Sequence, residues 1–203
     1  MEKKLNVKQA RLQAKYPKAD IEVWAMDEHR LGLKPIQRRV CQQQAEQPIA
    51  AVKCYGFVHP ESGETYWWIL PLVNIDLFNR ALADFAQHFG VGKNKRIILV
   101  LDRALWHTSD QVKIPLGIHL FFLPAYSPEL QPAERLWPLT NEPIVNRSFE
   151  SLDELEVVLF ERCRRLLQQQ ELIRGFTFFH WWPCPATGSG VRDQQLNSLA
   201  RSP

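Results

Sequence analysis

The stretch that decides the fold is residues 97–137, which contains the runs IILVLDRALWH (97–107) and HLFFLPAYSPELQPAERLW (119–137). The first run opens with a continuous apolar segment that is too short for a typical helix and rich in β-branched residues. Such a segment predicts a fully buried strand over residues 97–101. Asp102 follows at once. Because open α/β sheets bind ligands beyond the carboxyl ends of their strands, Asp102 is a candidate functional carboxylate.

The second run predicts another strand, over residues 118–123, which Pro124 ends. A turn-rich stretch follows and carries Pro132, a residue favoured at the start of a helix. Glu134 then falls in the first helical turn, 32 positions after Asp102. The simpler interpretation of Glu134 is an acid favoured there by the helix dipole.

A third candidate acid lies upstream, where residues 21–27 predict a strand that ends at Asp27. Asp27, Asp102 and Glu134 would then come together from three separate elements. Carboxylate oxygens are the ligands preferred by Mg²⁺ and Mn²⁺, so the three acids predict a divalent-metal site.

The remaining patterns complete the fold. Two strands joined by a turn with Pro, Ser and Gly predict an antiparallel hairpin. Asn74 is a good N-cap for an amphipathic helix that ends at Gly90, and Ser151 with Glu154 forms a capping box for a last long helix. The predicted fold class is α/β, a mixed five-stranded sheet flanked by helices. The strands are expected at residues 21–27, 49–58, 65–72, 97–101 and 118–123.

Composition narrows the class of protein. The 203 residues are 45% hydrophobic, which is ordinary for a globular domain, and no apolar run approaches a membrane span. The four cysteines form no Cys-x-x-Cys pair, so we expect a reduced, intracellular protein.

The net charge is +3, yet residues 1–20 alone carry six cations against two acids. We expect a basic linker or arm at 1–20, which suits phosphate contact or a solvated face equally, and a disordered tail at 184–203.

Three stretches resemble the DDE transposases of bacterial insertion sequences, in the mariner-type superfamily. They are AMDEHR (25–30), LDRALWH (101–107) and LPAYSPELQPAERLW (123–137). The third is the most specific, because its Pro-x-Tyr-Ser-Pro-x-Leu-x-Pro-x-Glu pattern is hard to match by chance. The resemblance covers about residues 20–183 and implies a catalytic domain over 21–183.

The resemblance implies a ribonuclease-H-like fold and a DDE superendonuclease activity, which is phosphoryl transfer on DNA. It assigns Asp27, Asp102 and Glu134 as the catalytic and metal-binding triad, with two Mg²⁺ or Mn²⁺ ions as cofactors. The implied partners are DNA, as transposon ends and target, and a second copy in a homodimer. No membrane is implied.

Departures from the family pattern leave other functions open. No helix-turn-helix region precedes Asp27, and Arg103 and Leu105 stand where the family has small residues. These features predict a truncated or decaying copy. The alternatives are a metal-dependent nuclease of the same fold, or an inactive fragment that only binds DNA or a full-length partner.

Other polar residues near the triad have simpler interpretations. The acids Glu28, Glu129 and Asp110 are more often solvated, so they stay outside the predicted site. His107 suits either a supporting role beside the metal or DNA, or a structural role with its nitrogens satisfied.

Overall fold

The computed structural model describes residues 1–33, 51–104, 106–125 and 127–183. The predicted tail at 184–203 and the departure at Leu105 lie outside the described residues. The strands are β1 Asp20–Gly32, β2 Ala51–His59, β3 Glu64–Leu70, β4 Lys95–Leu101 and β5 Ile118–Phe122. The α-helices are α1 Glu2–Lys15, α2 Ile75–His88, α3 Leu136–Asn141, α4 Leu152–Leu166 and α5 Gln170–Thr177.

The strands form one mixed five-stranded sheet in the order β3-β2-β1-β4-β5. Strand β2 runs antiparallel to both β1 and β3, whereas β1, β4 and β5 are parallel to one another. The predicted α/β class and five-stranded sheet are therefore confirmed. Parallel strands present their carboxyl ends at one edge, and Asp102 leaves β4 there. The prediction that the first strand ends at Asp27 was wrong, because β1 continues to Gly32 through its backbone pairing with β2.

The central strand β4 is buried on both faces, as its unbroken apolar run predicts. Ile98 and Val100 pack on the side that carries α1 and the segment around Trp137. Ile97, Leu99 and Leu101 pack on the other side, against α2. At β4 the sheet thus separates two of the three hydrophobic clusters formed by the described residues, and Asp102 leaves β4 at their boundary.

Helix α1 packs against the sheet. Leu5 is fully buried in the same core as Ile21 and Val23 of β1. Lys8 crosses the sheet edge and donates from Nζ to the backbone oxygen of Leu120 at 2.6 Å. A single buried leucine in a polar helix is a weak sequence signal, which is why residues 1–20 suggest only an arm.

The capping residues at the helix ends have the structural roles that the sequence predicts. Asn74 accepts a hydrogen bond from the Leu77 N–H at 2.8 Å, and Ser151 accepts from the Glu154 N–H at 3.2 Å. Gly90 has φ of 63°, a conformation that disfavours a side chain. Among the described residues, no helix is long and apolar enough to cross a membrane.

Candidate active site

Two of the predicted acids lie on neighbouring parallel strands. Ala25 of β1 pairs with Val100 of β4. Two residues further along each strand stand Asp27 and Asp102, so the same register places them side by side. Adjacent strands are about 4.8 Å apart, and residues two positions on share a face. The sheet itself therefore brings these carboxylates together.

The third acid lies on a short turn that packs on the middle of β1, beside Met26. Glu134 lies in a 3₁₀ turn, Pro132–Arg135, that leads directly into α3. Gln131 fixes this turn, because its buried side chain donates from Nε2 to the Met26 backbone oxygen at 3.0 Å. Ala133 of the same turn is fully buried and packs in the hydrophobic core beside β1 and β4. The turn holds Glu134 over the middle of β1, where Asp27 lies.

All three acids line one cavity of about 360 Å³ at this edge of the sheet. Its walls come from the end of β4, from the turn after β5 and from the turn that carries Glu134. The other residues that line it are Arg103, Ala104, Leu123, Pro124, Ala125, Ser127, Pro128 and Gln131. Acids that are far apart in sequence thus face one space large enough for a small polar group.

Asp27 is almost fully buried, with 8% of its surface exposed. The indole of Trp137 donates from Nε1 to Asp27 Oδ2 at 2.9 Å. Burial, and next the negative charge of Glu134, raise the pKa of Asp27 to about 7, although the Trp137 hydrogen bond opposes the shift. The folded protein therefore disfavours the ionised form of Asp27.

Asp102 is in the opposite state. Its carboxylate accepts from His107 Nδ1 at 2.7 Å and from the Ala104 N–H at 3.1 Å. Burial raises the pKa of Asp102, but these two hydrogen bonds and the charge of His107 outweigh burial, so the pKa lies below its ordinary value. His107 is 2% exposed and packs on Phe78, so it orients Asp102 from inside the protein.

The donor set suits a hard divalent cation. Burial, and then the charge of Asp102, raise the pKa of Glu134, while its contact with Asp27 lowers it. Carboxylates crowded in this way are relieved by a cation. Among the described residues, no three His, Cys, Asp or Glu side chains form a ready-made metal cage. The three carboxylates nevertheless fit a divalent cation chemically. Glu134 lies in contact with Asp27, and His107 holds Asp102 by a hydrogen bond.

The neighbouring acids do not line the cavity, but the expectation that all of them are solvated was wrong for Glu28, whose side chain is 10% exposed. Glu28 pairs with Arg30 at 3.5 Å and with Lys53 at 3.8 Å. It follows Asp27 in a strand, where consecutive side chains point to opposite faces. Glu129 and Asp110 are exposed.

Sequence reasoning missed the roles of Trp137 and Gly56. Gly56 pairs with Asp27 across β1 and β2, and a Cβ added there would lie 2.9 Å from the Trp137 ring. The glycine therefore leaves room for the indole that reaches Asp27. One signal was available, because Trp137 follows Glu134 by three residues, about one helical turn.

We predict that Trp137→Phe destabilises the protein more at pH 8.5 than at pH 5.5. The hydrogen bond to a charged Asp27 stabilises by about 1.5–3 kcal/mol, and Asp27 is ionised only above about pH 7. Urea unfolding at the two pH values measures the difference. Trp67→Phe is the matched control, because Trp67 donates to the neutral Thr65 hydroxyl at 2.9 Å. An equal cost of Trp137→Phe at both pH values would contradict the assignment.

Comparison with known proteins now identifies the family. Residues 22–156 match the family of DDE superfamily endonucleases, which is more than half of the chain. The chain therefore belongs to the DDE superfamily endonucleases. It is also 29% identical, over 128 residues, to an uncharacterized protein, y4pE/y4sA, from Sinorhizobium fredii. That alignment covers 63% of this chain and 93% of the relative.

Solved structures share the fold. The Mos1 transposase paired-end complex with left transposon end has a TM-score of 0.51 and 14% identity over 84% of this chain. The Mos1 mariner paired end complex with Mn gives the same TM-score and identity over 88% of this chain. The predicted ribonuclease-H-like fold is thereby confirmed. The chain spans 59% and 62% of those two Mos1 chains.

Proposed function

We propose that this chain is the catalytic domain of a transposase, which performs metal-dependent DNA strand cleavage and strand transfer. One observation carries the proposal: Asp27, Asp102 and Glu134 line a single cavity at the carboxyl edge of the sheet. Membership of an endonuclease family makes phosphodiester chemistry the natural use of that cavity. The proposed catalytic and metal-binding residues are these three acids.

The chain's own residues would orient the reacting groups. Trp137 and His107 each hold one oxygen of an acid, which fixes the orientation of Asp27 and Asp102. Arg103 donates from Nε to the Leu123 backbone oxygen at 3.1 Å, which brings a positive charge to the cavity wall, where it can meet a DNA phosphate. Two bound Mg²⁺ or Mn²⁺ ions would neutralise charge on the attacking and leaving oxygens of an in-line displacement. Catalysis would rest on positioning and on charge.

The fold neighbours support the choice of partners. The Mos1 structures hold a transposon end in one case and Mn in the other. For this chain we propose DNA, as transposon ends and target, and a homodimer as the functional form. The protein would act in the cytoplasm, on the nucleoid. We also propose that this chain is itself active in cleavage and strand transfer.

The test uses two DNA substrates with purified protein and Mn²⁺, each with and without EDTA. A supercoiled plasmid reports strand cleavage. Labelled duplexes that carry the DNA flanking the reading frame report transfer of a 3′-hydroxyl into the plasmid. We expect both products, and both should disappear with EDTA. Cleavage without transfer would overturn the transposase proposal in favour of a nuclease, and no product at all would favour an inactive fragment.

A further inference from the structure

A second, larger groove shares no lining residue with the cavity of the three acids. It has a volume of about 820 Å³ and lies between β3, at one edge of the sheet, and α4. Trp67 and Ile69 of β3 form its floor, while α4 forms the wall. Catalysis by the acids makes no use of this groove, so its apolar lining needs another explanation.

One face of α4 lines the groove with a regular stripe. The stripe residues follow one another at intervals of three, four or one, which is the spacing of a single helix face. They are Asp153, Glu156, Val157, Phe160, Arg164 and Leu167, the last lying just past the helix end. The opposite face of α4 faces the core through Leu155, Leu159 and Leu166.

The apolar members of the stripe are exposed. Val157 is 62% exposed, Phe160 55% and Leu167 41%. Large apolar side chains that lie together and are rimmed by charges mark an interaction site rather than ordinary surface.

The charges of the stripe are arranged for self-recognition. Asp153 and Glu156 lie near the start of α4, Arg164 lies near its end, and Phe160 is halfway between Glu156 and Arg164. If two copies of α4 packed antiparallel about a two-fold axis at Phe160, Glu156 of each would face Arg164 of the other. The contact of Arg164 with Glu161 at 3.4 Å is solvent-exposed and therefore weak, so it does not compete.

We propose that α4 and the adjoining groove form an isologous homodimer interface, occupied by α4 of a second copy of this chain. A two-fold interface requires a patch that complements itself, and this stripe does so in both charge and apolar character. The dimer axis passes through Phe160. The proposal stands independently of the catalytic role of the acids.

Charge-swap variants test the proposal by sedimentation velocity of the full chain at micromolar concentrations. We expect wild type to be dimeric, and Glu156→Arg and Arg164→Glu each to raise the dimer dissociation constant at least tenfold. Each single variant sets like charges against each other across the axis. Mixing the two single variants should restore dimers, because every cross-axis pair then has opposite charges. The double variant should dimerise alone for the same reason.

Two further variants separate the interface from general stickiness. Phe160→Glu should give monomers with an unchanged circular dichroism spectrum. Leu116→Glu alters an apolar residue that is 64% exposed outside the groove, and it should leave the dimer intact. The proposal is overturned if wild type is monomeric. It is also overturned if the dimer survives both single swaps, or if the mixed variants stay monomeric.

Discussion

Asp27→Asn is expected to stabilise the metal-free protein at pH 8.5 by about 2–4 kcal/mol, or roughly 5–10 °C in melting temperature. Asp27 is buried beside Glu134, and its pKa rises from 3.8 to about 7. The folded state therefore binds a proton more tightly than the unfolded state. Asp27 carries no penalty below pH 4, and the penalty grows as the pH rises towards 7 and is constant above it. Asparagine removes the charge and can still accept the Trp137 N–H.

Thermal unfolding in EDTA at pH 4 and pH 8.5 measures this effect. The gain should be present at pH 8.5 and nearly absent at pH 4. Asp102→Asn is the contrasting variant from the same cavity, and it should cost about 1 kcal/mol at pH 8.5, because it weakens the hydrogen bond from His107. Destabilisation by Asp27→Asn at pH 8.5 would show that the folded protein does not disfavour the ionised form of Asp27.

The second large effect is on catalysis. Asp27→Asn, Asp102→Asn and Glu134→Gln should each reduce Mn²⁺-dependent plasmid cleavage by about a thousandfold or more, which corresponds to ~4 kcal/mol of transition-state stabilisation. Each variant keeps the size of the side chain and removes one anionic ligand. Initial nicking rates at saturating Mn²⁺ provide the comparison.

Glu129→Gln is the matched control for these variants. Glu129 is an exposed acid in the 3₁₀ turn Pro128–Leu130, close in sequence to Glu134 and absent from the cavity wall. Its variant should cleave at the wild-type rate. If Glu129→Gln lost as much activity as Glu134→Gln, local folding of the turn would explain the result, and the role assigned to Glu134 would fail.

The sheet was predictable because buried strands consist of runs of apolar residues that can be recognised in the sequence. The run 97–101 is apolar on both faces because β4 is covered on both sides, and the acid at its end marks the strand's carboxyl edge. Strand β1 was harder. Its pairing with β2 continues to Gly32 through polar residues such as Glu28 and Arg30. Backbone hydrogen bonds maintain a strand there that side-chain alternation does not reveal.

The support of the acids was not predictable from sequence. Gln131 reaches the Met26 backbone oxygen across 105 positions, and Trp137 reaches Asp27 across 110. Such contacts depend on how the turn Pro132–Arg135 settles on β1, and no periodicity encodes that packing. The motif around Glu134 pointed to the acid itself, while the indole and the amide that fix the site became visible only in three dimensions.

The most direct measurement of the central claim is calorimetric titration of Mn²⁺ into the purified chain without DNA. Wild type and Glu129→Gln should bind Mn²⁺ saturably. Asp27→Asn, Asp102→Asn and Glu134→Gln should each weaken binding at least tenfold, about 1.4 kcal/mol. Asp27→Asn is especially informative, because it is expected to be more stable than wild type, so lost binding could not be ascribed to unfolding. Equal Mn²⁺ affinity in wild type and all three variants would contradict the assignment of these acids as the metal site.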